Sequence, residues 1–270
     1  MQRSPGSNLT LRQEEPMKLG CCAYSYRQFL TSGEMTLEEF IDRCEEMGLD
    51  GVELTAYYFP STAKEYLHHL KRYCFSKGLH IAGTAVGSNF CQADEAARRE
   101  QVQMTKEWID HSVTLGAPCI RVFAGPVPEG HWEEEAFQWA VACLGECAEY
   151  GASRGVVVAL ENHGGITATA DQVEKLVQAV NHEWFGVNLD FGNYRTPPAE
   201  YEQTAPHAVT CHAKTHYRNP AGQKKEVDYA QVVKIMRRVG YKGYLNIEYE
   251  EAEDPRLAVP RFAAQLKALL

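Results

Sequence analysis

Short apolar runs, many of them β-branched, alternate along this chain with longer segments whose apolar residues recur at helical spacing. The runs are KLGCCAY (18–24), GVELTA (51–56), HIAGTAV (80–86), CIRVFAG (119–125), VVVALEN (156–162), FGVNLDF (185–191), AVTCHAK (208–214) and YLNIEYE (244–250). Apolar continuity, rather than alternation, predicts strands buried on both faces, as in parallel sheets. The intervening segments carry helix punctuation. Thr36 with Glu39 three residues on is a capping-box signature, Leu37, Phe40, Ile41 and Cys44 share one face, and Gly48 marks the stop. Other helical segments end at Gly78, Gly116 and Gly240, and Pro255 stands near the first turn of the last one. After the sixth run only PPAEYEQTAPH is available, which predicts a short or irregular helix.

Eight such units without a linker-like break predict an α/β fold, a single-domain (β/α)8 TIM barrel over residues 17–270. A doubly wound open sheet would carry a glycine-rich first turn, and YSYRQF has none. Residues 1–16 read as a flexible N-terminal tail, lacking the apolar core of a secretory signal, with Met17 as an alternative start. No run approaches the roughly 18 apolar residues that cross a bilayer.

The formal net charge of −9 argues against a nucleic-acid or membrane-surface partner. Nine cysteines without CxxC spacing read as free thiols packed like small apolar residues, which places the protein in the reducing cytoplasm.

Chemistry in such a barrel sits at the C-terminal strand ends. From the fifth to the eighth run those ends carry Glu161, Asp190, His212 and Glu248. Adjacent strands lie about 4.8 Å apart, so the four side chains can converge on one ion. Any one of them alone is ordinarily a polar strand end. Together, on four consecutive strands, they arise by chance with odds on the order of 1%. Three carboxylates and one imidazole form a hard site for one divalent metal ion, Mn2+ foremost, with Mg2+, Co2+ or Zn2+ as alternatives. Such an ion would polarise a substrate carbonyl and stabilise the enediolate left when a neighbouring proton is removed.

Other residues at the same end are candidates for substrate contact. Arg121 would balance carboxylate charge or bind hydroxyls, with Glu53 in a similar supporting role, and the bland alternative is an ion pair in the barrel mouth. Tyr24, with Tyr26 and Phe59, would form a wall for a sugar ring, unless these aromatics simply pack. Lys214 and His216 share a face with His212, and His163 follows Glu161 by two; each contacts substrate or belongs to loop surface. Asn162 reads as aimed at substrate, and Gly164 and Gly165 as room for the chain to turn. Arg218, Lys224 and Lys225 would suit a phosphate, but no glycine-rich cradle follows the eighth run and EYEEAEDP is strongly acidic, which favours an unphosphorylated substrate.

The motifs ALENHGG, VNLDFGN, CHAKTHYR and NIEYE resemble the xylose-isomerase-like TIM-barrel superfamily, which includes ketose 3-epimerases, sugar-phosphate isomerases and inosose dehydratases. The resemblance runs from residue 17 to the end of the chain. It implies that Glu161, Asp190, His212 and Glu248 hold the metal and that Glu161 and Glu248 act as the acid/base pair. It also implies that Arg218, six residues after His212, binds substrate. Asn193 stands where the epimerases have a substrate-contacting histidine, a departure that bears on ketose specificity. The implied function is metal-dependent isomerisation or epimerisation of a sugar, keto-sugar or cyclic polyol. A dehydratase acting on an inosose-like substrate is the close variant. An endonuclease IV-type abasic-site nuclease, which needs further ligands that AGTAVGSNF does not offer, and a non-catalytic metal-binding barrel are the others. The implied partner is a small-molecule sugar or polyol, and a homo-oligomer is left open.

Overall fold

The computed structural model describes residues 17–270; the sixteen residues read above as a tail lie outside the described part. Eight parallel strands close a barrel in the order β1-β10-β7-β6-β5-β4-β3-β2. They are β1 (Lys18–Cys22), β2 (Gly51–Thr55), β3 (His80–Ala85), β4 (Cys119–Val122), β5 (Val157–Glu161), β6 (Phe185–Asp190), β7 (Ala208–Ala213) and β10 (Tyr244–Ile247). Each expected run contains its strand. The residues overshooting at the C-terminal ends belong to the loops that build the barrel mouth.

The helices follow the sequence punctuation closely. In α2 (Leu37–Glu46) the Thr36 hydroxyl accepts from Glu39 N at 3.1 Å, and the Glu39 carboxylate accepts from Thr36 N at 2.7 Å. Then come α3 (Lys64–Ser76), α4 (Glu95–Leu115), α5 (Glu133–Arg154) and α6 (Ala170–Val180). The capping box of α6, formed by Thr169 and Gln172, repeats that of α2. The short helix expected after the sixth strand is α7 (Ala199–Thr204), and α8 (Tyr229–Arg238) and α9 (Pro255–Lys267) complete the shell.

Two features were not foreseen. A short α1 (Arg27–Ser32) precedes α2, and the loop after β7 folds into an antiparallel hairpin, β8 (His216–Arg218) with β9 (Lys224–Glu226). Both lie in stretches too short and too polar to show a period.

Apolar strand residues face outward onto the helices. Leu54, Val187, Leu189 and Ile247 pack in one cluster with Phe40 and Phe262, and Ile120, Val158 and Leu160 pack in another with Ala140 and Leu144. Burying each such large side chain contributes about 1.5–3 kcal/mol. All nine cysteines are buried and free. The lumen beneath the mouth is polar: Glu53, Asn188, Thr210, His212 and Asn246 are all buried there. No helix among the described residues is long and apolar enough to cross a membrane.

Candidate functional site

The barrel register brings the four strand-end residues together. Asp190 pairs with His212 across β6 and β7, His212 pairs with Asn246 across β7 and β10, and Glu161 pairs with Asn188 across β5 and β6. Glu248 follows two residues after Asn246, and its N–H donates to Ala213 O at 3.0 Å. One ligand atom from each of Glu161, Asp190, His212 and Glu248 lies within 4.8 Å of the others, and all four residues are buried. His212 Nδ1 stands 3.4 Å from Glu161 Oε2, 3.9 Å from Asp190 Oδ2 and 3.4 Å from Glu248 Oε2.

Glu53 orients this imidazole from across the lumen. β2 and β7 are not neighbours in the barrel, yet His212 Nε2 meets Glu53 Oε1 at 2.9 Å, so the bond spans the interior. A hydrogen bond from Nε2–H to a carboxylate leaves the Nδ1 lone pair for an ion, the usual carboxylate–histidine–metal arrangement. Asn162 does not face substrate as expected. It is fully buried and clamps β5 to β6, its Oδ1 accepting from Asp190 N at 2.8 Å and its Nδ2 donating to Asp190 O at 3.0 Å. The chain then turns away through Gly164 and Gly165, at φ of 72° and 53°, as their side-chain-free backbones permit.

Three features fit a divalent cation here. First, His212 Nδ1 is buried without a hydrogen-bond partner among the described residues and faces carboxylate oxygens of Glu161, Asp190 and Glu248 at 3.4, 3.9 and 3.4 Å. Buried polar atoms are normally satisfied, so an unbonded imidazole nitrogen facing three carboxylates needs a cause. Second, the donor set is oxygen-rich and hard. Third, Glu53, Glu161, Asp190 and Glu248 are buried, and among the described residues the buried fixed cations are Arg121 and Lys214. The excess of two negative charges equals the charge of one divalent ion with His212 neutral. A second grouping, Cys22 with Glu53 and His212, also comes within 4.8 Å. It offers only three ligands, its histidine nitrogen is already engaged by Glu53, and burial together with Glu53 and Glu248 holds the Cys22 thiol well above its ordinary range.

Burial pushes Asp190 up to about 7, with Lys214 opposing and Glu161 and Glu248 adding. Burial likewise raises Glu161, against Arg121 and His212. Burial works against a charged His212, yet Glu248, Glu53 and Glu161 hold the imidazole well above its ordinary range. A cation held here would oppose these upward shifts, so metal binding at such a site is coupled to proton release.

The flanking candidates divide into two groups. Lys214 enters the centre: its Nζ lies 3.1 Å from Asp190 Oδ2, 3.2 Å from Glu248 Oε2 and 3.0 Å from Glu250 Oε2. Gly192 makes room for it, since a Cβ there would fall 2.6 Å from Lys214 Cδ and 2.9 Å from His216 O. Asn193 donates to Glu161 Oε1 at 3.2 Å and accepts from Lys214 at 3.2 Å. Arg121 pairs with Glu161 Oε2 at 3.2 Å, and its guanidinium lies 4.0 Å over the Phe123 ring. His163 covers Phe123 on that ring's own stack, centroids 4.1 Å apart. Tyr24 is half-buried beside Arg27, and Glu250 and Glu248 contribute to raising its hydroxyl after burial.

The other group stands off the centre. His216 turns to Glu251 at 2.8 Å and does not share the face of His212, because the strand ends at Ala213 and the chain bends into the hairpin. Arg218 is exposed on that hairpin and donates to Gly222 O at 3.1 Å. Tyr26 is fully buried against Phe40, and Phe59 packs on Trp108, so neither lines the mouth. Phe123 was missed because it sits inside an apolar run, where nothing distinguishes a mouth aromatic from a core one.

A family described as xylose isomerase-like TIM barrel matches residues 41–268. Among curated proteins none matches the sequence. Several solved structures share the fold. D-psicose 3-epimerase from Clostridium cellulolyticum H10, solved with D-tagatose, is 17% identical over 86% of this chain and 84% of its own, with a TM-score of 0.73. The probable 3-DHS dehydratase AsbF from Bacillus anthracis is 18% identical over 94% and 98%, with a TM-score of 0.74. A xylose isomerase-like TIM barrel protein from Mycobacterium smegmatis in complex with magnesium is 16% identical over 94% and 98%, with a TM-score of 0.73. With the match covering most of its length, this chain belongs to the xylose isomerase-like TIM barrel family.

Proposed function

We propose that the protein is a metal-dependent isomerase or epimerase of a sugar, keto-sugar or cyclic polyol, moving a proton on the carbon next to a carbonyl. One observation carries this reading: two buried glutamates flank a single ligand position, each with one oxygen turned into it and one turned aside. Glu161 Oε2 faces His212 Nδ1 and Arg121, while its Oε1 accepts from Asn193. Glu248 Oε2 faces His212 Nδ1 and Lys214, while its Oε1 faces the Cys22 thiol at 3.9 Å. Because β6 and β7 lie between β5 and β10, the two carboxylates approach from different sides.

Glu161, Asp190, His212 and Glu248 would hold the ion. When bound, a divalent cation supplies Lewis-acid polarisation of the carbonyl and offsets the negative charge that develops on its oxygen. The chain's own residues do the rest. The carboxylate of one glutamate takes the proton from one face of the substrate carbon, and the carboxyl group of the other returns a proton to the opposite face. Arg121 and Asn193 fix the Glu161 carboxylate, and Lys214 fixes Glu248, so that neither rotates during transfer. The Phe123 and His163 rings form a wall beside the position of the substrate.

The test is proton exchange in D2O with Mn2+-loaded protein and a panel of keto-sugars and inososes. The expected result is deuterium on the carbon next to the carbonyl without loss of water, reduced about 10²–10⁴-fold in Glu248→Gln. Loss of water with appearance of an absorbing enone would assign the dehydratase reading instead. No exchange across the panel by metal-loaded protein would overturn both.

A further inference from the structure

Much of the acidic run that argued against a charged substrate is paired within the fold. Glu250 pairs with Lys214 at 3.0 Å, Glu251 pairs with His216 at 2.8 Å and with Lys224, Glu253 pairs with Arg261 at 2.6 Å, and Asp254 pairs with Arg256 at 2.7 Å. Glu251, Glu253 and Asp254 thus each have a cation of their own, whereas Glu250 shares Lys214 with Asp190 and Glu248.

Beside the centre, between the loop after β6 and the β8–β9 hairpin, lies a cavity of about 380 Å³. It shares two walls with the proposed catalytic site. Lys214 and Asn193 line it, and these same side chains touch Asp190, Glu248 and Glu161. Its outer wall carries Arg195 and Arg218. Lys214 and Lys224 there face Glu250 and Glu251, whereas neither guanidinium forms an ion pair among the described residues, Arg195 meeting Glu200 through its backbone N–H at 3.1 Å. Arg218 spends one donor on Gly222 O and keeps the others for a ligand. Planar guanidinium groups left unpaired at the mouth of a pocket are suited to a carboxylate or phosphoryl group.

We infer that this cavity receives an anionic group at the end of the substrate remote from the reacting carbonyl, gripped by Arg195 and Arg218. The inference rests on the isomerase reading for the identity of the site as a substrate site. It narrows the substrate class to a keto-sugar or polyol bearing a carboxylate or a phosphoryl group, reversing the expectation drawn from the sequence.

Equilibrium binding to Mn2+-loaded protein tests it, using D-fructose, D-fructose 6-phosphate and 5-keto-D-gluconate as probes. At least one anionic probe is expected to bind 10-fold or more tightly than D-fructose, and which one identifies the source of the charge. In the double variant Arg195→Gln/Arg218→Gln that advantage should fall below about 3-fold, while Arg195→Lys/Arg218→Lys should keep part of it, since charge remains but bidentate geometry is lost. Equal affinities, no measurable binding of either anionic probe, or an advantage that survives the glutamine substitutions would overturn the inference. Deuterium exchange on the same samples separates the two claims. Arginine-dependent anion binding without exchange removes the isomerase reading and keeps the anion pocket, whereas exchange without an anion advantage does the opposite.

Discussion

The contact between Glu53 and His212 offers the sharpest perturbation that leaves all four proposed ligands in place. Glu53 Oε1 lies 2.9 Å from His212 Nε2, and both side chains are buried. Glu53→Gln keeps the shape and an acceptor but replaces a charge-assisted bond with a neutral one. Bonds to charged groups contribute about 1.5–3 kcal/mol and neutral ones about 0.5–1.5, so the substitution costs about 1–1.5 kcal/mol in orienting Nδ1. At 1.4 kcal/mol per decade, affinity for Mn2+ should fall about 10-fold, at the lower edge of the 10–100-fold typical of such partners. The loss of one of four buried carboxylates acts in the same direction. Calorimetric titration of chelator-stripped wild type and variant with Mn2+ measures this. Because the pair is buried, the difference should persist at high ionic strength. Equal or tighter binding by Glu53→Gln would refute the claim that Glu53 presents His212 to an ion.

Metal should also stabilise the fold. At one hundred times its dissociation constant a bound ion contributes about 2.7 kcal/mol, which for a domain of this size raises Tm by about 5–10 °C. The gain should widen between pH 6 and pH 8. Asp190, raised from 3.8 to about 7, and His212, raised above 6.5, make the metal-free fold bind more protons than the unfolded chain, so its stability falls as pH rises through those values. The ion displaces those protons, and differential scanning of loaded and stripped protein across that range reads the effect. Gly192→Ala places a Cβ 2.7 Å from Lys214 Cβ and 2.9 Å from His216 O, neither of which is a flexible tip. It should cost about 1–3 kcal/mol in chemical denaturation, and unchanged stability would mean that Lys214 is not held where described.

The barrel and the convergence of Glu161, Asp190, His212 and Glu248 were legible because both depend on repetition. Buried parallel strands leave unbroken apolar runs, and polar residues at the ends of four such runs stand out against them. Glu53 was visible on the same grounds, but its contact with His212 crosses the lumen between strands that are remote in sequence, and no local pattern encodes that. Asn162 looked like a substrate contact because it adjoins Glu161; only the β5–β6 register shows it bonded to the Asp190 backbone. His216 was misplaced because alternation was extended past Ala213, where the strand stops. The acidic residues 250–254 were weighed as a block of charge, although Glu251, Glu253 and Asp254 each have a cation supplied from elsewhere in the fold or from the next turn, and Glu250 shares Lys214 with the centre.

The most direct measurement is anomalous diffraction from crystals of the Mn2+-loaded protein. The expected result is one Mn2+ per chain among Glu161, Asp190, His212 Nδ1 and Glu248, with Glu53 still bonded to Nε2. A peak on the other side of the imidazole, at Nε2 with Cys22 and Glu53, or no peak inside the barrel mouth, would contradict it.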